Sequence, residues 1–199
     1  MEIIKSASLL NRFSTSELYG LLLAILGISV AFAVADRSLE MFFISLFFFG
    51  PSFALHEMGH KFAAEAQGRR AEFKLFPYLL LLSIMVSSIG FTLVVFGAVY
   101  FECEEGETDG DETAKIYLSG PLVNIGLAVV FLLFYVAGSP LLQWIGFWGV
   151  WANAFIGAFN LLPIPPLDGY QVFLWNKRCW ALCFLSALAL LALVIFIPF

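Results

Sequence analysis

His56-Glu57-Met58-Gly59-His60 is the stretch whose residue types and spacing most directly suggest chemistry. On a helix, positions four apart lie about 40° from one another in projection and one turn apart in height. Two imidazoles so placed can meet a single zinc ion, with Glu57 near enough to take a proton from an attacking water. These are the only two histidines in the chain. They sit at the end of a long apolar run, where ionisable side chains are costly and usually functional. The competing reading is a His-Glu-His group snorkelling to a membrane interface. The helix around it is otherwise apolar, however, and gives Glu57 no solvated face.

A catalytic zinc needs a third protein ligand and an open position. With no third histidine, that ligand should be a carboxylate or a cysteine. Glu65 lies about 140° round the helix from His60 and points away. Glu72 follows a polar break, and the acidic residues of 102–112 read as a solvated tether. Asp168 remains, in Asn160-Leu161-Leu162-Pro163-Ile164-Pro165-Pro166-Leu167-Asp168-Gly169. The prolines break the helix and put Asp168 on irregular backbone beside a membrane segment, followed by a glycine that permits close approach. Its alternative role is to cap a helix over 169–176. Asn124 and Asn160 are candidate donors to a developing oxyanion; equally, they could satisfy backbone groups freed at the nearby Gly-Pro and Pro-Pro breaks. Cys103, Cys179 and Cys183 make no disulfide framework, and Cys179 and Cys183 share a helix face that reads as packing. Asp109-Gly110-Asp111 falls short of an EF-hand loop.

The elements that must position these residues are apolar. Of 199 residues, 61% are hydrophobic and 13% charged, whereas soluble domains carry about a quarter charged. Apolar runs cover about 18–35, 39–55 (continuing as a helical pattern to 66), 76–101, 116–137, 141–162 and 180–199. Several approach the ~20 residues that cross a bilayer core, so the chain reads as a polytopic membrane protein. The net charge of −5 hides an asymmetry, because seven of the fifteen acids fall between Glu102 and Glu112. No basic run is long enough for a nucleic-acid surface. No cleavable leader is evident, and neither a repeat nor a soluble domain is expected.

Basic residues set topology. If all six runs crossed, Lys177 and Arg178 would lie opposite Arg69 and Arg70. If the third run dips in and returns near Ser87-Ser88-Ile89-Gly90, then Lys5, Arg12, Lys61, Arg69, Arg70, Lys74, Lys115, Lys177 and Arg178 share one side, leaving only Arg37 outside. Irregular backbone at membrane depth is tolerated where it is buried in protein or lines a wet cavity. Five crossings plus one re-entrant element is the preferred reading.

The pairing of H-E-x-x-H with a downstream N-x-x-P-x-x-x-L-D-G resembles the site-2 protease family of intramembrane metalloproteases. Ser119-Gly120-Pro121-Leu122-Val123-Asn124 is similar to a third motif of that family, G-P-x-x-N. The resemblance runs from about Phe53 to Tyr170. It implies a core of three transmembrane segments, zinc on His56, His60 and Asp168, and Glu57 as the catalytic acid/base. It also implies a strand- or hairpin-like element between the first two motifs, where Phe73 to Tyr100 falls, that engages substrate. The chain corresponds to a minimal form, without the PDZ or CBS domain of some relatives.

The expected fold is therefore an all-α polytopic membrane protein of about five to six transmembrane helices with one re-entrant or hairpin element. It forms a single domain over 1–199 with a catalytic core of about 39–175. The expected function is zinc-dependent endoproteolysis of transmembrane protein substrates in the cell membrane, with one Zn²⁺ per chain and no nucleic-acid partner. Hydrolysis of a non-peptide substrate and transport of divalent metals are the rival readings. A transporter should line a path with polar groups from successive helices, whereas here they converge at one end.

Overall fold

The computed structural model describes residues 12–90, 92, 96–102 and 110–196. Lys5, Cys103 and most of the acidic tether lie outside them. The first helix, α1 (Thr15–Asp36), starts on a capping box: the Ser14 side chain accepts from the Glu17 backbone, and the Glu17 carboxylate accepts from Ser14 N–H. Such reciprocal caps satisfy two otherwise orphaned donors. The helix stops at Arg37, whose left-handed backbone (φ 54°) ends the ladder.

Ser38 then caps a continuous rod made of α2 (Leu39–Ile44), a π-helical stretch (Ser45–Phe49) and α3 (Gly50–Ala66). The π stretch falls directly before Pro51, in the turn whose fourth-back carbonyl a proline ring would strike. Gly50 N–H there bonds Ser45 O, five residues back. Widening the helix by one residue is a recognised way to absorb such an insult.

The apolar run expected over 76–101 holds one helix and one strand, with a second strand just before it. Strand β1 (Ala71–Leu75) leads into α4 (Pro77–Ser87), and β2 (Gly97–Phe101) returns antiparallel to β1. Phe73 pairs across to Val99, and Glu102 N–H donates to Arg70 O at 3.0 Å. The chain therefore leaves and re-enters at the same end of the molecule. The turn expected at Ser87 to Gly90 coincides with the end of α4 and with Gly90 at φ +89°.

Helix α5 (Asp111–Val136) lies against α3 and pairs with α6 (Pro140–Asn160) through the short Gly138-Ser139 turn, where Gly138 has φ +86°. A side chain at Gly146 would meet the Tyr135 backbone, and one at Gly149 the Phe131 ring. Small residues in this way let two apolar helices approach closely. Pro163, Pro165 and Pro166 then interrupt the helix before α7 (Asp168–Trp175) and α8 (Lys177–Phe196). The Asn176 carboxamide oxygen accepts from the backbones of Arg178 and Cys179 to start α8.

Among the described residues, four stretches are long and apolar enough to cross a membrane: α1, the rod Leu39–Ala66, α5 and α8. Helix α6 is about as long, with Gln143, Asn153 and Asn160 among its otherwise apolar residues. Large apolar side chains are exposed along all of these faces, as in Leu22, Leu23, Val129, Leu133, Leu182 and Leu185. The chain is an all-α polytopic membrane protein with one small two-stranded sheet. Residues of the basic end meet one another: Arg12 pairs with Glu65, Arg69 donates to the Thr113 hydroxyl at 3.1 Å, and Trp175 Nε1–H donates to Asp111 at 2.7 Å.

Candidate metal centre

His56 and His60 stand one turn apart on α3, buried, with their Nε2 atoms 3.0 Å apart. Asp168, more than a hundred positions further on, brings Oδ2 to 3.1 Å from His56 Nε2 and 3.2 Å from His60 Nε2. The sequence motifs far apart in the chain thus meet at one point. The N-cap role considered for Asp168 is not what it does here: Leu167 occupies the cap position and Asp168 opens α7.

The loop carrying Asp168 is held from two sides. Trp180 Nε1–H donates to Leu161 O at 2.7 Å, and Gly169 lies so close to the Leu161 backbone that no side chain would fit. A second glycine matters equally. A Cβ on Gly120 would collide with the imidazoles of both His56 and His60. The Gly of the Gly-Pro pair is thus the floor on which the two rings rest, and Gly59 faces it across the α3–α5 contact.

Each histidine is oriented by a bond from its far nitrogen. His60 Nδ1 lies 2.8 Å from Ile116 O, which can only accept, so Nδ1 carries the hydrogen. His56 Nδ1 lies 2.7 Å from Asn124 Oδ1. The Asn124 amide is itself fixed, because Nδ2 donates to Ser52 O at 3.2 Å and to Asn153 Oδ1 at 3.1 Å. Its oxygen therefore faces His56, and His56 Nδ1 is the donor. In its neutral form each imidazole then keeps its lone pair on Nε2. Three potential ligand atoms, two nitrogens and a carboxylate oxygen, converge within 3.2 Å.

That arrangement suits a bound cation. Tetrahedral zinc, with bonds of about 2.0–2.1 Å, separates its ligand atoms by about 3.3 Å, close to the spacing found. The donor set, two neutral imidazoles and a carboxylate, is one that zinc accepts. His56, His60 and Asp168 are the group among the described residues that could hold a metal.

Glu57 is buried beside them, and its Oε2 accepts from Val99 N–H of β2 at 3.1 Å. Phe53, Phe76, Leu79, Tyr100, Phe101 and Tyr117 form apolar walls around a cavity of about 340 Å³ that these four residues also line. Asn160 reaches this cavity while its amide donates to Ile156 O, one turn back. Asn124 does not line it: both ends of its amide are engaged, at His56 and at Ser52 and Asn153. Of the two roles expected for Asn124, donor to an oxyanion or partner of a freed backbone group, its bond to Ser52 O fits the second, and its oxygen meets His56 Nδ1.

Sequence reading missed Asn153, Gly120 and the Val99 backbone. Asn153 carried a usable signal, a carboxamide in the middle of an apolar helix. The Val99 contact carried none, because a backbone N–H has no sequence identity. Glu65 pairs with Arg12 and Lys61, as its direction on α3 implied.

Fold and site together define a helical membrane protein with a His-Glu-x-x-His group closed by a remote aspartate. Residues 42–147 match the model of peptidase family M50. The chain is also 37% identical, over 174 residues, to a protein of Methanocaldococcus jannaschii whose name marks it, provisionally, as a zinc metalloprotease. That match covers 86% of this chain and 90% of the relative. No solved structure matches the chain. The chain belongs to peptidase family M50, the site-2 protease family, and is a zinc metalloprotease.

Proposed function

We propose that this metalloprotease is an intramembrane endopeptidase of the cell membrane, with zinc on His56, His60 and Asp168 and with Glu57 as its acid/base. The observation that carries the reading is the triangle of three potential ligand atoms, with both imidazoles held from behind. Zinc at such a site lowers the pKa of water towards neutrality and polarises the scissile carbonyl.

The chain's own residues do the rest. Glu57 takes one proton from the attacking water and returns it to the leaving amine, so that one amide bond gives one carboxyl and one amino end. Val99 N–H holds the carboxylate against the cavity wall. Asn124 keeps His56 turned so that Nε2 faces Asp168. Asn160 is left as the side-chain donor for a developing oxyanion, since Asn124 is committed elsewhere.

The substrate in this reading is a transmembrane helix that unwinds locally. A peptide bond inside a regular helix hides its carbonyl in the i to i−4 ladder, and unsatisfied groups in lipid are expensive. Strand β2 offers replacement partners. Pairs 76:96 and 70:102 exchange ladder bonds, and ladder bonds alternate along an antiparallel pair. Residues 97, 99 and 101 therefore turn their backbone groups outward, along the cavity wall, with Val99 N–H already on Glu57. An extended peptide can add there as a further strand.

The shared end of β1 and β2 supports a re-entrant α4 that does not cross, with Arg70, Lys115 and Lys177 all cytoplasmic. Helix α6 then crosses as a fifth span. The test is direct: purified protein and a peptide carrying one transmembrane segment, with and without a zinc chelator. Cleavage inside the segment, abolished by the chelator and restored by zinc, is the expected result.

A further inference from the structure

We propose that Lys61 and Glu17 are positioning residues that hold the β1–β2 hairpin in the register that sets Val99 N–H on Glu57. The inference rests on the reading of β2 as the substrate-facing edge and of Glu57 as the acid/base.

The geometry is a clamp on one cross-strand pair. Phe73 and Val99 lie opposite each other, and each turns its N–H outward. Phe73 N–H donates to Glu17 Oε1 at 3.0 Å, and Val99 N–H donates to Glu57 Oε2 at 3.1 Å. Both carboxylates are buried. Both also lead back to α3, since Lys61 Nζ lies 2.7 Å from Glu17 Oε1 and 2.6 Å from Ala71 O. Lys61 stands one helical turn beyond Glu57. One helix therefore grips the hairpin from both edges, directly through Glu57 and through Lys61 with Glu17.

Packing fixes that register only in part. A slip of one residue would throw the buried Phe73 to the other face, which the core forbids. A slip of two keeps every residue on its face. It would replace Phe73 by Ala71 or Leu75 and Val99 by Gly97 or Phe101, all of them apolar or small. A buried ion pair is also a poor way to gain stability, because desolvation offsets its attraction. What Lys61 and Glu17 supply that apolar residues cannot is a choice among registers spaced two residues apart.

Removing one partner leaves a buried charge unpaired and endangers folding, whereas neutralising both keeps the shape at small cost. The informative variant is therefore Glu17→Gln with Lys61→Met in the full-length, zinc-loaded protein. The probe is a synthetic single-span peptide with a Gly-Pro pair at its centre, in the same vesicles as the enzyme. Hydrogen exchange over 97–101 is followed on the protein alone. The double variant should keep its zinc and its thermal transition, and exchange faster over 97–101. It should also cut at a second bond two residues from the first, with kcat lower by about ten- to hundredfold and KM little changed. Cleavage at the one original bond with unchanged kcat, or unchanged exchange, overturns the proposal. So does loss of the thermal transition, which would make the pair a folding requirement only. If the wild type leaves the probe uncut, the reaction reading fails, and exchange alone decides the clamp: faster in the double variant upholds it, equal rates overturn it.

Discussion

Asn124 Oδ1 lies 2.7 Å from His56 Nδ1, which leaves the Nε2 of that ring to face Asp168. Asn124 sits on α5 and His56 on α3, so this bond makes the ligand geometry depend on how two helices pack. Asn153 on α6 extends the dependence to a third helix.

Replacing Asn124 by Leu should weaken zinc binding by about ten- to hundredfold, the usual effect of losing a partner behind a metal-bound histidine. Competition between the protein and a chromogenic chelator measures it. Asn153→Leu should act in the same direction and more weakly, because Ser52 O still holds the Asn124 amide. Equal affinity in wild type and Asn124→Leu would remove the orienting role.

Gly120→Ala should lower bound zinc while leaving the helices formed. The added methyl occupies the space of both imidazoles, which must move apart to admit it. Zinc per chain and far-ultraviolet circular dichroism separate the two effects. Full zinc in this variant would show that the rings have room the close contact does not suggest.

Much of this candidate site was legible in the sequence because the proposed ligands and acid/base fall in short, ordered motifs: His56, Glu57 and His60 on one helix turn, Asp168 after a proline break. The convergence of Asp168 on the two histidines needed only three ligands and one plausible carboxylate. The role of Asn124 was not legible, since a carboxamide serves as donor or acceptor and only its neighbours decide which. A non-crossing element was expected here from the placement of Lys and Arg, and its hairpin-like form from the family resemblance. Its register was hidden, because Ala71, Phe73 and Leu75 match more than one partner set on β2.

Topology is open to a labelling experiment. Single cysteines at Arg70, Lys115 and Lys177 should react with a membrane-impermeant reagent from the same face, and one at Arg37 from the opposite face. The shared end of β1 and β2, where Arg70 O meets Glu102 N–H, motivates the first group. Labelling of positions 70 and 102 from opposite faces would contradict a re-entrant α4.

Helix-breaking residues in the substrate should speed cleavage. Relative to Ala, Gly lowers the cost of leaving the helix by roughly 1 kcal/mol and Pro by about 3. A host peptide with Gly, Asn or Pro near the cut site should therefore be cleaved faster than an all-Leu span at equal membrane insertion. Equal rates would mean that unwinding is not limiting, and pairing along β2 would lose its motive.

The central claim, that His56, His60 and Asp168 hold the zinc while Glu57 moves the proton, is tested most directly by zinc content and turnover measured together on four purified variants. His56→Ala, His60→Ala and Asp168→Ala should each bind less zinc than wild type, because each removes one of three ligand atoms. Glu57→Gln should keep its zinc and lose activity by at least about a hundredfold, because an acid/base is removed and no ligand is. Asp168→Ala with full zinc and full activity would contradict the assignment of the third ligand, and an active Glu57→Gln that of the acid/base.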